Sequence, residues 1–262
     1  APKVKLGIRT TIKKPLTKIP VPAPKTIDTP PKLTPYPTIG KITLIIDDSG
    51  YNRRDCEHLA AISVPVTISI LPQLAHSAEV AQCANAQGKE VMLHLPLEPH
   101  VFREQYPANY FIKTSMLSTQ ITNRLTEALQ SVPHVAGINN HEGSKATEDS
   151  RVMYLIFKEL AKKNLFFVDS RVTNKSVCKN LAEKLDLPFT GRDIFLDNVN
   201  ERGAIEKQFN ELAAKAKLRG SAVAIGHARE LSWAVIKDQV KKLTDQGYQF
   251  ITAQEMIQTQ AQ

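Results

Sequence analysis

The sequence predicts an α/β fold: a (β/α) barrel of seven or eight strands behind an extended, proline-rich N-terminal tail. From residue 41 onward, short β-branched runs alternate with longer amphipathic segments. That rhythm belongs to strand–helix–strand units with parallel pairing and right-handed crossovers. An open doubly wound sheet fits the same alternation, but seven or eight units in roughly 220 residues favour the barrel. The first 40 residues differ in kind, holding nine of the 16 prolines. Proline fixes φ and removes a backbone donor, so this stretch reads as a semi-rigid linker.

In chain order, the expected strands cover residues 42–46, 66–70, 90–93, 135–138, 165–168, 188–190, 222–225 and 249–252. Between them, helical patterns cover 53–62, 77–87, 119–129, 151–163, 176–185, 204–218 and 232–246. Gly88, Gly220 and Gly247 fall just past three of these helices, where a left-handed residue ends the last turn. No GxGxxG or GxxxxGK[ST] follows the first strand, so a dinucleotide or P-loop reading has no support.

The formal charge of +8 suggests a nucleic-acid binder until it is divided. Lys3, Lys5, Arg9, Lys13, Lys14, Lys18, Lys25 and Lys32 stand against Asp28 alone, so residues 1–40 carry +7 and the rest only +1. No nucleic-acid partner is expected. The division instead gives two parts, a basic tail (1–40) and a nearly neutral catalytic-sized domain (41–262). The tail is expected to be free of partners or to touch an anionic envelope polymer. Apolar runs are only a handful of residues long, far short of the roughly 18 that a membrane helix needs. The chain starts at Ala1, which fits a processed export signal or a trimmed N-terminus. The expected compartment is periplasmic or extracytoplasmic. Cys56, Cys83 and Cys178 are widely spaced, show no CxxC pair, and are expected as buried free thiols without a disulfide.

Unusual polar residues gather where the expected strands end. The strings are Asp47-Asp48-Ser49-Gly50, His94 to Glu98, Asn139 to Ser144, Asp169-Ser170-Arg171 and Gly226-His227-Ala228-Arg229. Parallel strands in one barrel bring all of these to one rim, the face where such folds place their chemistry. Any one string is a turn, a cap or a satisfied histidine; five on one rim point to a common site. Mixed Asp and His donors suit a divalent metal, Zn²⁺ first, with Mn²⁺, Fe²⁺, Co²⁺ or Ni²⁺ as alternatives. Of the adjacent Asp47 and Asp48, one can bind metal while the other moves protons. Asp193 and Asp197 read as loop acids paired with Arg192. Glu98, Asn140, Ser144, Arg171 and Asp193 are secondary candidates for contact with substrate.

The strings IIDDSGYN, VMLHLPLEP, GINNHEGS, LFFVDSRVT, RDIFLDN and AIGHARE, in order from Ile45 to Glu230, resemble the divergent polysaccharide deacetylases, relatives of the NodB carbohydrate esterases. The resemblance implies a distorted (β/α) barrel and metal-dependent removal of acetyl groups from a polysaccharide or other glycan. It makes Asp47 the base and Asp48 a metal ligand. His94 fits the first position of the family's His-x-x-x-His pair, but Glu98 occupies the second. Either Glu98 replaces that ligand or His141 completes the site, and Asp48, His94 and His141 are the preferred set. The family's Arg-Pro-Pro-Tyr stretch is replaced by residues 139–144. Ile225-Gly226-His227 resembles the late Leu-x-His that supplies the acid, with Asp169 placed like the carboxylate that orients it. A non-catalytic glycan- or metal-binding envelope module that keeps the fold is the alternative.

Overall fold

The computed structural model describes residues 38–102 and 110–260. The expectations for residues 1–37, including the tail's contact with an envelope polymer, lie outside them. Among the described residues no helix is long and apolar enough to cross a membrane.

In chain order the elements are β1 (Gly40–Ser49), α1 (Asp55–Ala60), β2 (Thr67–Ile70), α2 (Ser77–Ala86), β3 (Glu90–Leu97), α3 (Ser118–Ser131), β4 (Val135–Glu142) and α4 (Ser150–Lys162). They continue as β5 (Phe166–Asp169), α5 (Cys178–Lys184), β6 (Phe189–Gly191), β7 (Ile194–Phe195), α6 (Arg202–Arg219), β8 (Ser221–His227), α7 (Glu230–Asp245), β9 (Tyr248–Phe250) and α8 (Ala253–Gln260). The strands are parallel in the order β6-β5-β4-β3-β2-β1-β8-β7, with β9 paired to the start of β1. Because β6 and β7 are consecutive in the chain yet lie at opposite ends of this order, the sheet curls into a distorted, NodB-like barrel. The chain itself crosses the seam. Arg192 N–H donates to the Asp169 carbonyl of β5 at 3.0 Å, and Asp193 N–H donates to the Val223 carbonyl of β8 at 2.8 Å.

Strand alternation builds two cores. Leu44, Ile46, Ile68, Ile70, Val91 and Leu93 face outward beneath the helices. α4 shows why the helices sit there: Val152, Met153, Ile156, Phe157 and Leu160 form one apolar stripe, and Asp149 caps Arg151 and Val152 N–H at 2.9 and 3.0 Å. Ile45, Met92, Phe166, Val168, Val223 and Ile225 face inward and pack with Met256 and Ile257 of α8, which plugs the bottom of the barrel. α8 was not expected. Its capping box is nevertheless in the sequence: Thr252 N–H donates to Glu255 Oε2 at 2.8 Å, and Glu255 N–H to Thr252 Oγ1 at 3.2 Å.

Four strands run two or more residues further than expected, to Ser49, Leu97, Glu142 and His227. Propensity ends a strand at its first polar residues. Here those residues face one another inside the barrel, and the β3–β4 ladder continues through Leu95↔Asn140 and Leu97↔Glu142. The cysteine expectation is corrected: Cys56 and Cys83 form a disulfide between α1 and α2, with Cα atoms 6.0 Å apart. An odd number of thiols does not prevent one pair, and consecutive βα units bring these helices together. Cys178 is free and buried, as expected.

Candidate metal and catalytic centre

In a regular strand, Asp47 and Asp48 would face opposite sides of the sheet. The β1–β2 register shifts between Ile46 and Ser49, and Asp48 takes φ +61°. This bulge breaks the alternation and turns both carboxylates into one cavity of about 380 Å³. A left-handed non-glycine residue costs of order 1–3 kcal/mol, and such strain concentrates at functional sites. α1 secures the turn: Asp55 accepts hydrogen bonds from Ser49 Oγ and from Gly50 N–H.

The structure brings Asp48, His94 and His141 together. Asp48 Oδ1 lies 3.3 Å from His94 Nε2 and 3.0 Å from His141 Nδ1, and the two ring nitrogens are 3.1 Å apart. Four-coordinate zinc with bonds of 2.0–2.1 Å sets its ligand atoms about 3.3 Å apart. The donor set fits a borderline divalent cation. Burial opposes ionisation of Asp48, yet hydrogen bonds from His141 and His94 hold it well below its ordinary value. Asp47, 2% exposed, is pushed up by burial against the pull of His94 and His227. For His94, burial favours the neutral ring, and the charges of Asp47 and Asp48 outweigh it, raising its pKa.

The opposite wall follows from register. Ile194 pairs with Ala224 and Phe195 with Ile225, so two residues further Asp197 arrives beside His227. Asp197, fully buried, accepts from His227 Nδ1 at 2.8 Å, from His227 N–H at 3.0 Å and from Ser232 Oγ at 2.5 Å. Burial raises its pKa, but the His227 bond prevails and holds it low. His227 Nε2 is left facing the cavity, 3.8 Å from Asp48 Oδ2.

Asp169 therefore does not orient His227. Its carboxylate accepts from Arg171 N–H and Ser176 Oγ, both at 2.7 Å, on the far side of the seam. Of the secondary candidates, Asn140 lines the cavity, whereas Glu98, Ser144, Arg171 and Asp193 do not. Glu98 is occupied by Thr114 and Lys145, and Ser144 Oγ accepts from His100 N–H at 3.0 Å. Arg171 donates to the Arg192 carbonyl, and Asp193 Oδ2 accepts from Val223 N–H at 3.0 Å, so both fasten the seam. Sequence reasoning missed Asn139, Phe195, Asp197 and Arg229 as site residues. The signal for Asp197 was its two-residue offset from a strand too short to notice.

The divergent polysaccharide deacetylase family matches residues 44–257. An uncharacterised protein of Haemophilus influenzae is 31% identical over 205 residues, which is 78% of this chain and 72% of that protein. The uncharacterised protein YibQ of Escherichia coli K12 is 31% identical over 204 residues. The match takes in 78% of this chain but only 63% of YibQ, so this chain spans less than two thirds of that relative. The crystal structure of the uncharacterised protein ATU2773 from Agrobacterium tumefaciens C58 shares the fold with a TM-score of 0.78 at 18% identity, over 83% of this chain and 89% of that one. The chain belongs to the divergent polysaccharide deacetylase family.

Proposed function

We propose that this protein is a metal-dependent hydrolase that removes acetyl groups from a polysaccharide or other glycan. Family and fold support a carbohydrate-deacetylase-like activity. The observation that carries the finer reading is one cavity holding three converging ligand atoms, a buried second aspartate and a histidine held by a buried carboxylate. Asp48, His94 and His141 are the residues that would hold the cation, zinc by the chemistry of the donors. When bound, it supplies Lewis acidity for a carbonyl oxygen and lowers the pKa of water.

Asp47 accepts the proton of the attacking water as the new C–O bond forms at the acetyl carbon. Burial, which favours the neutral acid, suits it to that task. Asp197 holds the His227 ring by Nδ1, leaving Nε2 as the atom that delivers a proton to the departing sugar nitrogen or oxygen as the acyl bond breaks. Acetate and the freed amine or hydroxyl are the products. Phe195, whose ring centre is 5.0 Å from that of His227, and Val172 give the cavity an apolar flank for the acetyl methyl.

An extracytoplasmic setting is part of the proposal. The Cys56–Cys83 disulfide supports it, since such bonds persist in oxidising compartments. The test is acetate release from acetylated glycan fragments, paired with elemental analysis. Release that stops with chelator and returns with zinc is expected. Bound metal without release from any acetylated glycan would overturn the hydrolase in favour of a binding module.

A further inference from the structure

We infer that Asn139 is a positioning residue that selects the ring tautomer of His94 and, through the same amide, fixes Asp47 beside it. This rests on the metal-site reading above. Asn139 is fully buried on β4, level with His94 on β3. Its Nδ2 donates to Asp47 Oδ1 at 2.8 Å and reaches Ser170 Oγ at 3.4 Å. Its Oδ1 lies 2.7 Å from His94 Nδ1 and accepts from Ser69 Oγ. An amide has two donor hydrogens and one oxygen with two lone pairs, and this one uses all four positions. It thereby joins the C-terminal ends of five neighbouring strands, β1 to β5.

The direction of the amide follows from the contacts at its two ends. The amide nitrogen lies 2.8 Å from Asp47 Oδ1, and the amide oxygen takes the Ser69 hydroxyl and lies 2.7 Å from His94 Nδ1. His94 Nδ1 then carries hydrogen, and the lone pair of the neutral ring sits on Nε2, the atom aimed at Asp48 and His141. A histidine with the opposite tautomer would present N–H to the cation position. Fixing the tautomer through the other ring nitrogen is the usual way a protein prepares a histidine ligand. Here a neutral amide does so, and its other end restrains the proposed base.

The test reads tautomer and zinc affinity separately from deacetylation. In the metal-free protein, with the pH raised until the ring is neutral, ¹⁵N NMR of His94 should show hydrogen on Nδ1. Asn139→Leu removes the acceptor and should weaken zinc binding about 10–100-fold. Asn139→Asp keeps an acceptor toward His94 and should bind zinc within about threefold of wild type or tighter. A merely structural role would not separate the two variants. Hydrogen on Nε2 in the wild type, or equal zinc loss in both variants, overturns the inference. If the leucine variant does not fold, the wild-type spectrum still decides. Failure of these tests leaves the deacetylase reading standing, and absence of acetate release leaves this one standing.

Discussion

The two ends of the barrel interior are built on the same strands and share almost no chemistry. At the bottom, Ile45, Met92, Val223 and Ile225 close on Met256 and Ile257. Two residues further along three of those strands, Ile45 gives way to Asp47, Met92 to His94 and Ile225 to His227. The inward step is the same; only the side chain changes. The lower layer removes apolar surface from water and fixes where the strands stand. The upper layer spends that rigidity on groups that would be costly if left unpaired, which is why nearly every one is bonded to a neighbour. Stability and chemistry should therefore separate on substitution.

The largest expected effects are at the top. Asp48→Ala or His141→Ala should weaken zinc binding by more than about a hundredfold, beyond what loss of an outer partner costs. Asp47→Asn should keep the metal and lower acetate release by about 10²–10⁴-fold, the range for a proton-transfer group. Metal content by elemental analysis, set beside turnover, distinguishes the two aspartates. Metal lost from Asp47→Asn but kept in Asp48→Ala would reverse their roles. At the bottom, Met256→Ala removes a fully buried side chain from the plug and should cost about 2–5 kcal/mol in denaturant unfolding. Its folded fraction should bind zinc as the wild type does. A parallel fall in zinc affinity would mean the layers are coupled.

How far the sequence was legible follows the same division. Asp47, Asp48, His94, His141 and His227 could be read because each lies at the end of a β-branched run, and parallel strands gather their ends. The turn of Asp48 into the cavity could not, because a bulge is a property of the β1–β2 register rather than of composition. Asp169 departs from its expected role for a related reason. Its string ends a strand convincingly, but sequence order does not show that β5 lies across the seam from β8. Asp197 follows a strand of two residues, too short for alternation to register, and only the pairing of β7 with β8 places it. α8 is legible in its Thr252–Glu255 capping box, but Thr252 also ends a strand pattern over 249–252, and the two signals compete.

Smaller effects sharpen the contrast between Asp197 and Asp169. Asp197 has a folded-state pKa below its unfolded value near 4, so its ionised form stabilises the fold above roughly pH 4–5. That contribution is lost as pH falls through the lowered value. Asp197→Asn should cost about 1–3 kcal/mol at neutral pH, and the deficit should narrow on acidification because the variant has no carboxylate there to protonate. Urea unfolding from pH 7 down to about pH 3 measures this. A deficit that stays constant across that range would remove the charged partnership with His227. Asp169→Asn, which breaks loop contacts only, should leave turnover within about threefold of wild type while costing about 1–2 kcal/mol.

The smallest effect concerns Glu98, the residue that the family resemblance offers as a rival to His141. Its side chain does not line the cavity, and three donors hold it. Thr114 N–H and Oγ1 reach Oε2 at 2.6 and 2.7 Å, and Lys145 Nζ reaches Oε1 at 2.9 Å. Burial works against the charge, but these donors outweigh it and hold Glu98 below the usual carboxylate range. A carboxylate bound this way ties the loop after β3 to the loop after β4 and stands outside the Asp48–His94–His141 cluster. Glu98→Gln keeps the shape and the Thr114 contacts and gives up the charge and the Oε1 hydrogen bond to a half-exposed lysine. That loss should be about 0–1 kcal/mol, with zinc affinity within about threefold of wild type. A tenfold or larger fall in zinc affinity would bring Glu98 into the ligand set after all. It would also mean that the loop after β3 rearranges on metal binding, since Glu98 must release Thr114 and Lys145 before it can turn inward.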